Sequence, residues 1–192
     1  MTRAIVVAAL GMAASGMTPA AAQSPWAIEV MGGAAFPMET FVGVDLNTGF
    51  GGEVDLHYRL LPQLAGYVGW SWHRFTTDQP LAAAEVDVEE TGYAFGLRYE
   101  RPLTMRSTIW LRAGGTANHL ELEDDDGELI DDTGHGLGWE VGGGLSIPLG
   151  TRLLLTPGVR YRALSRDVEI GGVTTSADLR YLTVGAGVVF GF

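Results

Sequence analysis

From Tyr181 to Phe192 the chain alternates without a break. Leu182, Val184, Ala186, Val188, Phe190 and Phe192 fall on one face, and Tyr181, Thr183, Gly185, Gly187, Val189 and Gly191 on the other. A period of two belongs to an extended strand whose faces meet different media. The bulky apolar residues share one face and the small residues dominate the other, so one medium is oily and the other is narrow. A strand that ends on an aromatic residue in mid-pattern fits a barrel closed by pairing first and last strands, with Phe192 at its rim.

Seven earlier stretches repeat the pattern: about 26–36, 49–60, 64–75, 91–101, 108–120, 135–149 and 152–165. In the second, Val54, Leu56, Tyr58 and Leu60 alternate with Glu53, Asp55, His57 and Arg59; in the fourth, Tyr93, Phe95, Leu97 and Tyr99 alternate with Gly96, Arg98 and Glu100. Trp110 breaks the pattern by falling on the polar face of the fifth, and Pro157 interrupts the seventh, where a bulge would absorb it. Short turns near residues 61, 103 and 150 alternate with longer connections at 37–48, 76–90, 121–134 and 166–178. The expected fold is therefore all-β, an eight-stranded antiparallel up-and-down transmembrane β-barrel, the smallest of its kind and filled by its own side chains. A soluble barrel would carry charge outside. Here mid-strand charges share the glycine-rich face, while Trp26, Tyr58, Trp70, Trp72, Tyr93, Tyr99, Trp139, Phe190 and Phe192 lie toward strand ends on the oily face, as interfacial girdles do.

The chain has 192 residues, a net charge of −11, 28 glycines and no cysteine. That charge excludes a basic nucleic-acid binder. Met1-Thr2-Arg3, the apolar Ala4 to Leu10 and Ala20-Ala21-Ala22 have the three regions of a secretory signal, which places a signal peptide at 1–22 and the barrel domain at 23–192. No later apolar run is long enough for a spanning helix, so the mature chain crosses a bilayer only as strands.

The ending Val188-Val189-Phe190-Gly191-Phe192 resembles the aromatic-ended last strand of Gram-negative outer-membrane β-barrels, and the mature chain resembles the small OmpA/OmpX-type barrels. The resemblance implies a bacterial outer-membrane location and recognition of Phe190 and Phe192 by the barrel-assembly machinery. It also implies contact with outer-membrane lipids and lipopolysaccharide, and a structural or adhesion-like surface role with an extracellular protein partner reached through the loops. Neither catalysis nor a cofactor is expected, and no resident metal is expected. The peptidoglycan-binding domain that OmpA-type proteins carry after the barrel has no counterpart here.

By strand parity Glu29, Glu53, Asp55, Glu100 and Glu140 share the lumen with Arg59, Arg98, Arg112, Arg160 and Arg162, and His57 and His73 join them. A narrow interior cannot hydrate ten charges separately, so paired networks and a plugged lumen are expected, with Arg112 or Arg160 as partner of Glu140. His119, Glu121, His135 and Ser165 fall near the outer rim on the lipid face, where a Ser, a base and a carboxylate would make a lipid A-modifying enzyme the alternative reading. A narrow small-solute pore is the other alternative. Most of the acids crowd the long connections, above all 121–132, a solvated tip that could bridge to lipopolysaccharide through divalent cations but lacks EF-hand spacing. A two-residue turn at Gly171-Gly172 would pair Tyr161 with Leu182 and extend that ladder to Ile170 and Val173. A like turn at Asp126-Gly127 would set Ala113 against Glu140, on opposite faces, so a bulge or an odd-length turn is required there.

Overall fold

The computed structural model describes residues 25–77, 86–124, 129–170 and 173–192. The expected signal segment, 1–22, lies outside the described residues. Nine strands follow in chain order: β1 (Trp26–Pro37), β2 (Gly49–Leu61), β3 (Leu64–Phe75), β4 (Val86–Thr104), β5 (Ser107–Asp124), β6 (Leu129–Asp132), β7 (Gly136–Pro148), β8 (Leu153–Ile170) and β9 (Val173–Gly191). Eight form an antiparallel ring, β1-β2-β3-β4-β5-β7-β8-β9, closed by β9 on β1, and β6 adds a short pairing to the outer end of β5. Closure leaves no unpaired edge through the belt, which a hydrocarbon medium requires because it offers no water to free N–H and C=O groups.

The last hairpin has the register that a turn at Gly171-Gly172 dictates: Tyr161 faces Leu182, Val159 faces Val184 and Ile170 faces Val173, although the link itself lies outside the described residues. The β5 connection carries the required extra residue. Glu121 pairs with Asp132, yet Asn118 pairs with Gly136 and Ala113 with Val141. The insertion sits at residues 133–135, where Gly134 takes φ 64° and the Leu120 N–H donates to the Thr133 hydroxyl at 2.9 Å.

The two sequence misfits explain each other. Pro157 needs no bulge, because the β7–β8 register is the same on either side, with Gly144 opposite Gly158 and Ile147 opposite Leu155. What is missing is the pairing its absent N–H would have completed, which leaves the Leu145 carbonyl opposite it without that donor. Trp110 is fully buried in the lumen, and its indole N–H donates to that carbonyl at 3.2 Å. Gly144 and Gly158 provide the space, since a Cβ on either would come within 2.8 and 2.4 Å of the indole.

β4 and β5 run past the expected strand ends, β8 and β9 extend to Ile170 and Val173 as their register requires, and along β4, β5 and β9 the contrast between faces reverses. On β5 the inward series Arg112, Thr116, Asn118 gives way to Leu120 and Leu122, all buried, while the outward series Ile109, Leu111 gives way to His119, Glu121, Glu123. On β4 the inward Glu90 is followed outward along the barrel axis by Val88, and outward-facing Tyr93 and Phe95 by Glu89 and Asp87. β9 likewise passes from inward Thr183 to Tyr181, Leu179 and Ala177, with Arg180 and Asp178 outside. The barrel thus has polar contents where lipid surrounds it and an apolar core where water does. The register puts the change at one level, Thr91 opposite His119 and Glu90 opposite Leu120.

The apolar core is completed by the 38–48 connection, expected as an outer loop. It folds inward and buries Phe41 and Leu46 against Ala35, Phe75, Val88, Leu120, Leu122, Leu164 and Leu179. Paired bonds between Phe41 and Val44 close a tight turn with Val42 at φ 48° and Gly43 at φ 83°. Positive φ at two central residues is the type I′ arrangement, costly for a β-branched valine and tolerated here where Val42 packs on the core.

Arg166 holds the wall together where β7 stops short of its neighbours. Its buried guanidinium donates to the Asn118 carbonyl of β5 from Nε (3.1 Å) and Nη2 (2.8 Å), to Leu137 (3.0 Å) and to Gly136 at the start of β7. A side chain standing in for a strand end leaves several carbonyls unsatisfied when removed. Arg166→Gln is expected to lower the urea midpoint of the refolded protein in detergent by an amount equivalent to about 1–3 kcal/mol. Gly136→Ala, whose Cβ would stand 2.8 Å from that guanidinium, should act in the same direction. An unchanged midpoint in both variants would remove Arg166 from this role.

Candidate functional site

Directly beneath the apolar core, five carboxylates and four guanidiniums fill the lumen, each 4 % exposed or less: Glu29, Glu53, Asp55, Glu90 and Glu140 with Arg98, Arg112, Arg160 and Arg162. They form a ladder along the barrel axis. At its foot Glu29 accepts from Arg98 (2.8 Å), Arg160 (3.1 Å) and the Thr156 hydroxyl (2.6 Å). Arg160 also bonds Glu53, and Asp55 accepts from Arg112 at 2.7 Å. Glu140 is gripped by Arg112 and by Arg162 (2.7 Å) and accepts the Tyr67 hydroxyl at 2.7 Å. Its second partner is therefore Arg162, and Arg160, the other candidate from the sequence, goes to Glu29 and Glu53 instead. At the top Glu90 receives Asn118, the Tyr181 hydroxyl (3.0 Å) and His73 Nδ1 (3.0 Å), with Arg162 at 3.3 Å.

Strand geometry accounts for this packing. Alternate residues of eight strands converge on an axis too narrow for many large side chains, so rings stack on cations: Arg112 lies 4.0 Å over Tyr67 and Arg98 lies 4.6 Å over Trp110. Gly96 and Gly114 admit Tyr67, whose hydroxyl would lie 2.6 and 2.3 Å from a Cβ on either.

The other residues named from the sequence sit elsewhere. Glu100 is at the short-turn mouth, a third exposed and bonded to Arg98 Nε at 2.9 Å. Arg59 makes no ion pair among the described residues. His57 lines the foot of the network, 3.4 Å from Glu29. Glu90 escapes the sequence reading, because the alternation becomes unreadable where Asp87 and Glu89 put charge on the outer face as well; Asn118 and Tyr181 fall inward by parity, but nothing in the sequence marks them as its partners.

At the outer rim His119 Nε2 lies 2.7 Å from Glu121 and Nδ1 lies 3.4 Å from His135, whose ring stacks on Tyr93. Ser165 stands on β8 opposite Asp178, and among the described residues its hydroxyl bonds neither histidine, so no base–nucleophile pair is assembled. Above this level Asp87 faces Glu123 and Glu89 faces Glu121 across the β4–β5 ladder. Arg74 lies over all of these but Glu121, 2.9 Å from Glu89 and 3.9 Å from Glu123; its hydrogen bond to Asp87 and the surrounding carboxylates raise its pKa above the ordinary arginine value. Oxygens of Glu89, Glu121 and Glu123 lie within 4.8 Å of one another, close enough for one cation, yet Arg74 already neutralises part of that charge. Much of the acidic run, residues 125–128, lies outside the described residues.

Breaking one side of a buried ion cluster leaves an uncompensated charge, at a cost of about 3–5 kcal/mol. Glu140→Ala should therefore destabilise the barrel by that order, and Glu140→Ala with Arg162→Met by less than the single change. Urea titration of all four corners of the cycle measures the coupling, and additive losses would show that the pair does not act together.

Residues 5–192 match the family described as the outer membrane protein beta-barrel domain. Among solved structures the chain is similar to Neisserial surface protein A (TM-score 0.65, 19 % identity, 88 % of this chain and 98 % of that one). It is also similar to the outer membrane protein OprG from Pseudomonas aeruginosa (0.56, 13 %, 90 % and 99 %). Ail, the attachment invasion locus protein of Yersinia pestis, solved with the heparin analogue sucrose octasulfate, is a third (0.52, 11 %, 86 % and 97 %). No curated protein sequence matches the chain. With the closed ring, the lipid-facing apolar belt and the family match over nearly its whole length, the chain belongs to the outer membrane protein β-barrel family and resides in the bacterial outer membrane.

Proposed function

We propose that the chain is a plugged outer-membrane barrel whose work is done at its outer rim, as a structural and surface-interaction protein. The observation that carries this reading is double closure. A cross-bonded charge ladder fills the membrane level, and an apolar core roofed by Phe41 and Leu46 fills the level above it. An ion would have to pass through carboxylates already bonded to arginines and then through a dry layer, and eight strands leave no room for a water column beside them. The alternative of a small-solute pore has no comparable observation behind it, and the lipid A-modifying reading lacks a bonded nucleophile.

The rim offers a partner two kinds of contact. The β8–β9 hairpin stays paired up to Ile170 and Val173, whereas β7 pairs with β8 only as far as Gly138 opposite Leu164 and β1 pairs with β9 only as far as Pro37 opposite Tyr181. Beyond the Met38 N–H, which still donates to the Arg180 carbonyl at 2.8 Å, neither outer strand edge is laddered further among the described residues, and both suit β-augmentation by an extended segment. The outward faces of β4 and β5 carry Asp87, Glu89, Glu121 and Glu123, which favour a basic extracellular protein, or lipopolysaccharide phosphates bridged by divalent cations. A polyanion such as the heparin analogue bound by Ail is unsuited to that face. Assembly by the barrel-assembly machinery through Phe190 and Phe192 belongs to the same reading.

The test is planar-bilayer recording of the intact protein. No long-lived conductance step is expected at any applied potential, and a stable single-channel step would replace the plugged reading with the pore.

A further inference from the structure

Below the charge ladder, at the short-turn end, the barrel opens into a vestibule of about 70 Å³ whose wall includes His57, Arg59, Arg98, Glu100 and Arg152. Its balance is opposite to that of the rest of the molecule, with three guanidiniums and an imidazole against one carboxylate. Arg98 is already engaged by Glu29 at 2.8 Å and Glu100 at 2.9 Å, and so forms the ceiling that separates the cavity from the ladder. Arg59 and Arg152 are different. Among the described residues neither makes an ion pair, and they come from the end of β2 and the turn before β8, brought to one mouth only by ring closure.

His57 lines the inner end of the same wall. It is 7 % exposed, and its Nε2, closed to the cavity, faces Glu29 at 3.4 Å, so the groups that an anion arriving from outside would meet are the two guanidiniums at the mouth. Guanidinium forks match the oxygens of a phosphate group, which they bond with charge assistance.

We propose that this vestibule is a binding site for a phosphate-type oxyanion presented from the short-turn, periplasmic side, with Arg59 and Arg152 as its cationic contacts and His57 in the wall behind them. The site is blind, since Arg98 closes it above, and it is consistent with a lumen that does not conduct. Two sources share this chemistry, a free phosphate or phosphomonoester and the headgroup of an inner-leaflet phospholipid.

The experiment follows the side-chain nitrogens of His57 by NMR in the intact protein, refolded in sugar-headgroup detergent without phosphate and titrated with inorganic phosphate. A saturable shift at His57, with His119 and His135 unmoved, is expected, together with at least a tenfold weaker affinity in the Arg59→Gln, Arg152→Gln double variant. Neither arginine belongs to the buried ladder, so the variant should fold, which its unchanged His73 signal would verify. A parallel sample in phosphatidylglycerol nanodiscs in phosphate-free buffer separates the sources. A His57 shift there without added phosphate identifies a headgroup, and a shift that requires added phosphate identifies the free anion. No saturable change in either setting, or equal affinity in the double variant, overturns the proposal.

Discussion

The structure depends on one constraint: a chain crossing hydrocarbon must satisfy its polar groups from within. The backbone does so by closing into a ring. The side chains do so through carboxylate–guanidinium contacts, some between neighbouring strands, as Arg162 with Glu140, and many across the barrel, which form only when the ring closes. Glu29 on β1 reaches Arg98 on β4 and Arg160 on β8, and Arg162 on β8 reaches Glu90 on β4. An isolated buried ion costs several kcal/mol, and these bonds offset it only together. Charge satisfaction and barrel closure are thereby a single cooperative event, and a partly closed ring holds its charges unpaired.

The same constraint sets the height of the barrel in the membrane. Side-chain parity is unbroken along β5, but the identity of the faces reverses between Ala117 and Leu120, where the surrounding medium changes from lipid to water. Below that level the protein is apolar outside and ionic inside; above it the packing is that of a soluble domain, with Leu120, Leu122, Leu179 and Phe41 buried and Glu121, Glu123 and Asp178 outside. The outer rim is therefore an ordered extension with its own core. That gives a partner-binding surface rigidity, which flexible loops lack, and lowers the entropy lost on binding.

Much of this was legible in the sequence because a period of two needs no tertiary information. Alternation identified the ring and placed Glu29, Glu53, Asp55 and Arg112 inside, and parity alone required an extra residue after β5, found at Gly134. What escaped was non-local or fell where the rule reverses. Glu90 reads as loop in the sequence because charge occurs on both faces of β4 there. Phe41 and Leu46 looked like loop residues because the cavity they fill is made by strands distant in sequence. Trp110 and Pro157 were anomalies singly; only the register, which sets Leu145 opposite Pro157 within reach of the indole, makes them one feature. Arg166 has no carboxylate to signal it, since its partners are carbonyls.

The central claim, an ionic interior sealed from water beneath a face reversal, is tested most directly by cysteine labelling, which the cysteine-free chain allows without background. Single changes Ala113→Cys, Thr116→Cys, Glu121→Cys and Leu122→Cys sample the two faces and the two levels of β5 in the folded protein in membranes. A membrane-impermeant maleimide should modify Glu121→Cys alone, leaving the lipid-facing 113 and the inward-facing 116 and 122 untouched until the protein is unfolded. Rapid modification of Thr116→Cys or Leu122→Cys in the folded barrel would reveal a water path through the interior and contradict the account.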